Sequence, residues 1–407
     1  MSTTCLNQCF DRLYKSENQL DHLSWNRFCD LGGFNSLSKS YLANRLDQLL
    51  RLSFVLPKPV VPQSLPTFAN RLLFVDGIFQ PDHSFVQGAH LLTLAEAQKT
   101  YPDFVESRWH AQTEKEKSPA ALLNAAFARG GAFIYLPAEV LLEAPIHCVQ
   151  LFSAASNCPL VNPRIHFFAG ERSQAKLVMH YPEIEGPIWI NQSLDCQLQE
   201  GAHLEVASCW KQASSAYLFD TFRATLKKQS LCQVTTISGG GRTVLRDAHF
   251  ELVGPEAQAR LYAATTLGRQ QHEHFNVLME HRAPHCISDQ HIKHVGYAAS
   301  QHSFEGKIYV HREAKETESF QKHQALLLDA TAFSASKPNL EILTDEVKAS
   351  HGATSGQLNQ ESIFYLMARG LSKEQAEALL IEAHLQEIID YITIDSVQKE
   401  AALFTGG

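Results

Sequence analysis

A chain of 407 residues with 44% hydrophobic and 19% charged residues has the balance of a core-forming globular protein, which excludes a disordered or collagen-like chain. Its 43 acidic and 35 basic residues are interspersed, for a formal net charge of −8, without the basic stripe that binds nucleic acid. The most apolar stretch, Ala120 to Ile146, is broken by Arg129, Gly130, Gly131 and Pro137, so no membrane span is expected.

The opening residues Met1 to Phe10 have neither the basic n-region nor the apolar h-region of a signal peptide. The nine cysteines are scattered without framework spacing and read as reduced thiols of a cytoplasmic protein. Residues 1 to about 56 are predicted helical: Leu42, Leu46, Leu49, Leu50 and Leu52 recur at helical spacing, and Gly32 and Gly33 punctuate the segment before them. Pro57, Pro59, Pro62 and Pro66 mark a linker. Leu72 to Val75 reads as a strand running into a tight turn at Asp76-Gly77.

From about Gly131 to Ala349 the pattern changes to short alternating strands. Ala175-Lys176-Leu177-Val178-Met179, Ala202-His203-Leu204-Glu205-Val206, Ser230-Leu231-Cys232-Gln233-Val234 and Ala259-Arg260-Leu261-Tyr262-Ala263 each open on a small residue, with starts 27, 28 and 29 residues apart. Period-two alternation gives a strand with one buried face, and a repeat of this length fits a solenoid. On the repeat alone, an evenly spaced β-sandwich fits as well. From about Gln360 the chain is predicted helical again. Ser372-x-x-Gln375 has the form of a capping box, and Gly370 can end the helix before it. Ala376, Leu379, Leu380, Ala383, Ile388 and Ile389 then form an apolar stripe.

Nine of the twenty histidines fall between His272 and His323. The gaps His281-x3-His285 and His291-x2-His294 resemble metal spacing, but no further ligands accompany them, and they read as strand histidines. Ser238-Gly239-Gly240-Gly241-Arg242-Thr243 lacks the glycine-then-lysine order of a phosphate loop and reads as a turn between strands. There is no G-x-S-x-G, H-E-x-x-H or C-x-x-C, and no carboxylate pair stands out for acid–base work. The densest segment is Asp345 to Gly356, expected to be a loop joining the last strand to the terminal helices. There Gly352 and Gly356 would let the backbone turn sharply and present His351.

Pro338-Asn339-Leu340-Glu341-Ile342, His351-Gly352-Ala353-Thr354 and Phe364-Tyr365-Leu366-x-x-Arg369-Gly370 resemble, in this order, the signature of the SufB/SufD family of iron–sulphur cluster assembly proteins. Phe304-x-Gly306-Lys307-Ile308-x-Val310, Thr317, Gln321 and Leu326-Leu327-Leu328 fit the same pattern, as does Leu73 to Gly77 near the start. Length and the histidine at 351 place the resemblance on the SufD side.

The resemblance implies a mainly β fold: a right-handed parallel β-helix core (111–356) between an N-terminal, largely helical region with linker (1–110) and a C-terminal helical region (357–407). It implies a non-catalytic scaffold of the SufB–SufC–SufD complex. Phe364, Tyr365, Leu366, Arg369, Leu379 and Leu380 of the C-terminal helices would dock the SufC ATPase. SufB would meet the end of the β-helix, with a homodimer as the arrangement when SufB is absent. No cofactor is expected to be held stably by the chain alone. A transient iron–sulphur cluster would be shared with SufB, and His351 would be its ligand from this chain. A site that must surrender its cluster is better built from few ligands split between two chains than from four thiolates.

Two departures stand out. Ala349 occupies a position where SufD proteins commonly carry cysteine, and the aromatic and basic N-terminal motif is degenerate around Ser40-Tyr41-Leu42-Ala43-Asn44. Two other classes share the fold: a binding or regulatory β-helix without metal chemistry, and a carbohydrate-acting β-helix protein, which would need clustered carboxylates or calcium ligands and a secretion signal.

Overall fold

The structure, a computed structural model, describes residues 10–34, 49, 54–127, 130–152, 158–182, 186–212 and 215–405. The helix expected around Leu42 to Leu52 lies outside these residues except for Leu49, which is buried, and so does the Ser40 to Asn44 motif. No helix among the described residues is long and apolar enough to cross a membrane.

Alternating sequence becomes a coil of paired strands. β1 (Asn70–Val75) and β2 (Ile78–Phe79) form a hairpin whose turn residues Asp76 and Gly77 both have positive φ, the two-residue geometry that matches strand twist. β3 (His90–Thr93) pairs antiparallel with β4 (Ala132–Leu136). The parallel coils then run through β5 (Ile146–Leu151), β6 (Leu160–Val161), β7 (Arg164–Ala169), β8 (Gln174–His180) and β9 (Trp189–Leu198). Regular coils follow in β10 (His203–Gln212), β11 (Tyr217–Leu226), β12 (Leu231–Gly240), β13 (Thr243–Leu252), β14 (Gln258–Leu267) and β15 (His272–His281). The last are β16 (Ile287–Gly296), β17 (Gln301–Val310), β18 (Thr317–Leu327), β19 (Phe333–Ile342) and β20 (Val347–Gly356). The first sheet orders β2-β1-β5-β8-β10-β12-β14-β16-β18-β20, and the second β19-β17-β15-β13-β11-β9-β7-β4-β3. This is a parallel β-solenoid with helices at both termini, which decides between the two readings that the repeat left open.

The repeat has the expected period but a different phase. Ladder register aligns His203 with Leu231 and Leu231 with Gln258, so Ala202 and Ser230 match Ser173 and Ala257, not Ala175 and Ala259. Two inward positions lie two residues apart on the same face and both are often small, so period two alone cannot fix the phase. The corners before β8, β10, β12, β14, β16 and β18 are each turned by one left-handed residue: Arg172, Gly201, Gln229, Glu256, His285 and Glu316. Next to them Ser173, Ser230 and Thr317 donate their hydroxyls to backbone carbonyls three residues back. Outside the corner, charged and polar side chains link neighbouring coils: Arg172 to Glu139 (2.5 Å), Lys228 to Glu200 (2.8 Å), Gln229 to Glu256 (2.9 Å), His285 to Glu316 (3.4 Å) and Lys315 to Glu346 (2.7 Å).

The interior of the middle coils is apolar: Leu204, Val206, Phe250, Leu261, Ala263, Phe275, Val277 and Met279 are buried inside it. Each sheet's outer face is covered in part by helices. α1 (Gln19–Asp30), α2 (Leu94–Thr100), α3 (Pro102–Lys115) and α4 (Pro119–Phe127) belong to the N-terminal part, where Phe10, Phe28, Phe34 and Phe127 pack on Trp189 and Phe219 of the second sheet. α5 (Gln360–Ala368), α6 (Lys373–Ile389) and α7 (Asp395–Thr405) follow β20. Ile381, Leu385, Ile388 and Ile389 of α6 and Val397 of α7 cover Val178, Cys209, Ile237, Tyr262 and Val295 of the first sheet. The capping box of α6 is formed: Ser372 Oγ accepts from the Gln375 N–H at 3.2 Å, and the Gln375 amide oxygen accepts from the Ser372 N–H at 2.8 Å.

Gly241, with φ +74°, turns the chain between β12 and β13, so the glycine run is a corner as expected. A Cβ there would run into the Trp210 ring.

Candidate functional site

Coil by coil, the interior changes character toward the end of the solenoid. Register carries Leu261 onto Gln290, Gln290 onto Gln321, and Gln321 onto His351. Residues in one such column share a face. Leu261, Gln290 and Gln321 are buried, so His351 stands in an interior column on the last coil, where no further coil covers it and it is exposed. Gln321 Nε2 donates to Gln290 Oε1 at 3.1 Å, continuing a polar rail that ends on the imidazole. The rail needs Gly306 on the opposite wall: a Cβ there would collide with Gln321 Nε2 and the Phe304 ring.

The segment Asp345 to Gly356 is therefore not a loop. Val347 to Gly356 is the edge strand β20, fully paired with β18, and neither Gly352 nor Gly356 has a positive φ. His351 is placed by strand register, not by a glycine turn. The loop expectation came from Gly352 and Gly356, a residue type depleted in strands. Ten residues of parallel pairing override it. Ala349, two residues earlier on the same face and in register with Ser319, offers only a methyl group.

Around the rail the interior carries polar side chains that the sequence reading left as strand histidines. His281 Nε2 is 2.9 Å from Ser288 Oγ, itself 2.6 Å from Ser319 Oγ. His294, His302 and His323 stack with ring centroids 4.4 and 5.1 Å apart, and their ring nitrogens make no hydrogen bond among the described residues, with His302 Nε2 3.5 Å from the buried Glu273 carboxylate. Burial holds His302 and His323 down to about 3 and His281 down to about 4, so all three are neutral imidazoles. Parallel stacked rings aim their nitrogens side by side and do not converge on one point. The signal for this interior was present in the sequence as Ser288-x-Gln290 and Ser319-x-Gln321-x-His323, polar residues with the two-residue period of the buried face. The pair His281 and His285 does not come together as ligands: His281 is a fully buried strand histidine, whereas His285 is an exposed corner residue 3.4 Å from Glu316.

The buried cysteines serve packing. Cys148, Cys196, Cys232 and Cys286 lie in the solenoid core, and burial pushes the thiols of Cys148 to about 12 and Cys286 to about 11. Such thiols are poor thiolate donors.

The end of the solenoid itself is open. β19 pairs only with β17 and β20 only with β18, so the outer backbone edges of both have no strand neighbour among the described residues. Ser334, Ser336, Pro338, Leu340 and Ile342 of β19 continue the interior columns of His302, Phe304, Gly306, Ile308 and Val310. Beside this end, α5 presents Phe364 at 74% and Tyr365 at 58% exposure. Arg369 lies over the Tyr365 ring and donates to its hydroxyl at 3.0 Å. Leu366 and Leu380 are half-buried and Leu379 is exposed. The stripe Ala376 to Ile389 is divided: Ala376, Ile388 and Ile389 are spent on the protein's own fold, while Leu379 and Ala383 face outward.

Residues 151–384 match the SufBD core domain of SUF-system FeS cluster assembly, and residues 64–148 match the SufBD N-terminal region. The chain belongs to the SufBD family. Among curated SufBD relatives, an iron–sulfur cluster assembly protein of Synechocystis is 26% identical over 346 residues, covering 81% of this chain and 75% of that protein. SufB of Bacillus subtilis is 24% identical over 71% of this chain and 62% of its own length. Chloroplast protein ABCI7 of Arabidopsis thaliana is 29% identical over 66% of this chain, a match that spans 58% of that protein. The SufBD core match takes in the interior rail up to β20 and ends within α6.

Proposed function

We propose that this SufBD-family chain is the SufD-type, non-catalytic scaffold of a SUF complex, and that SufB docks on the open end of the solenoid. The observation that carries the reading is an uncapped final coil whose interior column ends on an exposed imidazole. An exposed long strand edge is a template for another strand, and a partner with a matching coil would continue both sheets. In that arrangement His351 lies in the seam, where an imidazole nitrogen and a cysteine of SufB would hold the nascent cluster, the cargo of the assembly. With Ala349 beside it, this chain supplies one side-chain ligand, so the cluster is held weakly enough to be passed on. SufC would dock on α5 and the outward part of α6, through Phe364, Tyr365 and Leu379, and move one scaffold against the other as it hydrolyses ATP.

The test is His351→Ala with complex formation measured beside cluster content. The expected result is an intact SufB–SufC–SufD complex that no longer accumulates cluster. Normal cluster yield from the variant sinks the ligand role and leaves a binding scaffold without metal chemistry. Loss of the complex itself gives His351 a structural role at the seam.

A further inference from the structure

A second cluster of ligating side chains lies away from the open end, on the outer face of the second sheet. β13 contributes His249 and Glu251, and β15 contributes Glu280, with Glu251 and Glu280 adjacent in register. One His249 nitrogen and one oxygen from each of Glu251 and Glu280 lie within 4.8 Å of one another. His249 Nε2 and Glu280 Oε2 are 3.1 Å apart. Two ligands each about 2.1 Å from one ion stand roughly 3.0–3.4 Å apart, so this pair already has the spacing of a metal-site edge. The three side chains line a groove of about 1140 Å³ between the sheet and the helices α3 and α4, which gives an entry path.

We propose that His249, Glu251 and Glu280 form a binding site for a first-row divalent metal ion of the Zn²⁺ or Fe²⁺ class. A mixed imidazole and carboxylate set suits such ions. His311 Nε2, 2.8 Å from Glu280 Oε1, orients the central carboxylate as outer-shell histidines and carboxylates orient one another, and Tyr309 holds the His311 ring edge-on. Arg282 holds the place of the ion: its guanidinium is 2.7 Å from Glu280 and 3.4 Å from Glu251. Its side chain is 40% exposed and can swing into the groove, exchanging one positive charge for two. The site is separate from His351, which belongs to an interior column on β20, so it stands or falls independently of the cluster-scaffold reading.

Titration of the purified full chain with Co²⁺, followed by its visible d–d absorption and by calorimetry, tests the site. One equivalent is expected. Both His249→Ala and Glu280→Gln should weaken binding by more than about tenfold, since even outer-shell changes cost 10–100-fold. His351→Ala should leave it unchanged. Arg282→Ala removes the competing cation on an exposed side chain and should tighten binding, an outcome that a merely structural ion-pair network does not produce. Absence of a one-equivalent phase, binding indifferent to His249→Ala and Glu280→Gln, no tightening in Arg282→Ala, or loss only in His351→Ala would each overturn the proposal.

Discussion

The two ends of the solenoid are built on opposite principles. At the N-terminal end both sheets are closed by antiparallel pieces, β2 on β1 and β3 on β4. At the C-terminal end β19 and β20 stop with their outer edges bare among the described residues, and part of the interior has turned to glutamine, serine and histidine beside Ile308, Val310, Leu340 and Ile342. Solenoids need caps because a terminal coil exposes the core of its neighbour. An end made partly polar inside can be left open while exposing less of an oily cross-section. The capped end is built for stability, and the open end for being completed by something else.

Acidification should separate the open end most strongly from the apolar coils in the middle of the stack. His281, His302 and His323 are neutral in the fold, and each takes up a proton on unfolding. Their folded values lie below the ordinary 6.5, so stability is full above about 6.5 and drains as pH falls from there toward 3 to 4. Each costs about 1.4 kcal/mol per pH unit in that window. The capped end has its own buried histidines, His166 and His180, but none inside the apolar coils from β10 to β13. Hydrogen exchange compared at pH 7.5 and 5 should show β16 to β20 loosening before β10 to β13, and uniform loosening would undo the contrast.

Next in size is the aromatic cover on the outer face of the second sheet, over β9 and β11. Trp189 is fully buried, with ring centroids 4.9 Å from Phe219 and 5.6 Å from Phe10. Trp189→Ala should cost about 3–5 kcal/mol in denaturant unfolding, while any SufB capture at the open end persists in the folded fraction.

A smaller effect is expected inside the open end. Gly306→Ala forces the new methyl against Gln321 and Phe304, overpacking that costs about 1–3 kcal/mol. The loss should fall on β16 to β20 in exchange experiments, and a neutral result would mean that the glutamine rail moves aside freely.

The smallest stability change belongs to the exposed aromatics. Phe364→Ser or Tyr365→Ser should alter unfolding by no more than about 0.5 kcal/mol, as exposed positions do. SufC capture should nevertheless drop, since truncating an interface aromatic anchor commonly costs about 2 kcal/mol or more of binding. Undiminished capture by both variants would move the SufC surface elsewhere.

The same contrast separates what sequence could disclose from what it could not. The helical ends, the hairpin at Asp76-Gly77 and the strand texture were legible because capping boxes, turn residues and period two are local signals. Solenoid against sandwich was not, because alternation is identical in both and only the ladder partner differs. His351 was singled out on the wrong geometry: glycines beside it read as a turn, and only pairing to Gln321 shows that it ends an interior column. His249 and Glu280 were missed entirely. They are 31 residues apart and meet only because one coil is about that long.

The corner ladder of Arg172–Glu139, Lys228–Glu200, Gln229–Glu256, His285–Glu316 and Lys315–Glu346 has a consequence for how the chain finds this shape. Exposed pairs of this kind add little strength, each about 0–1 kcal/mol. Their value is as labels. Successive coils are near copies with interchangeable hydrophobic interiors, so the error to which a solenoid is most exposed during folding is a skipped or doubled turn. Neighbouring corners offer different complements: a carboxylate for a guanidinium, a carboxylate for an ammonium, an amide for a carboxylate and an imidazole for a carboxylate, with the ammonium pair recurring only at the last. A strand that arrives one turn early meets the wrong partner there, and the ladder acts as a numbering system written along the outside of the stack.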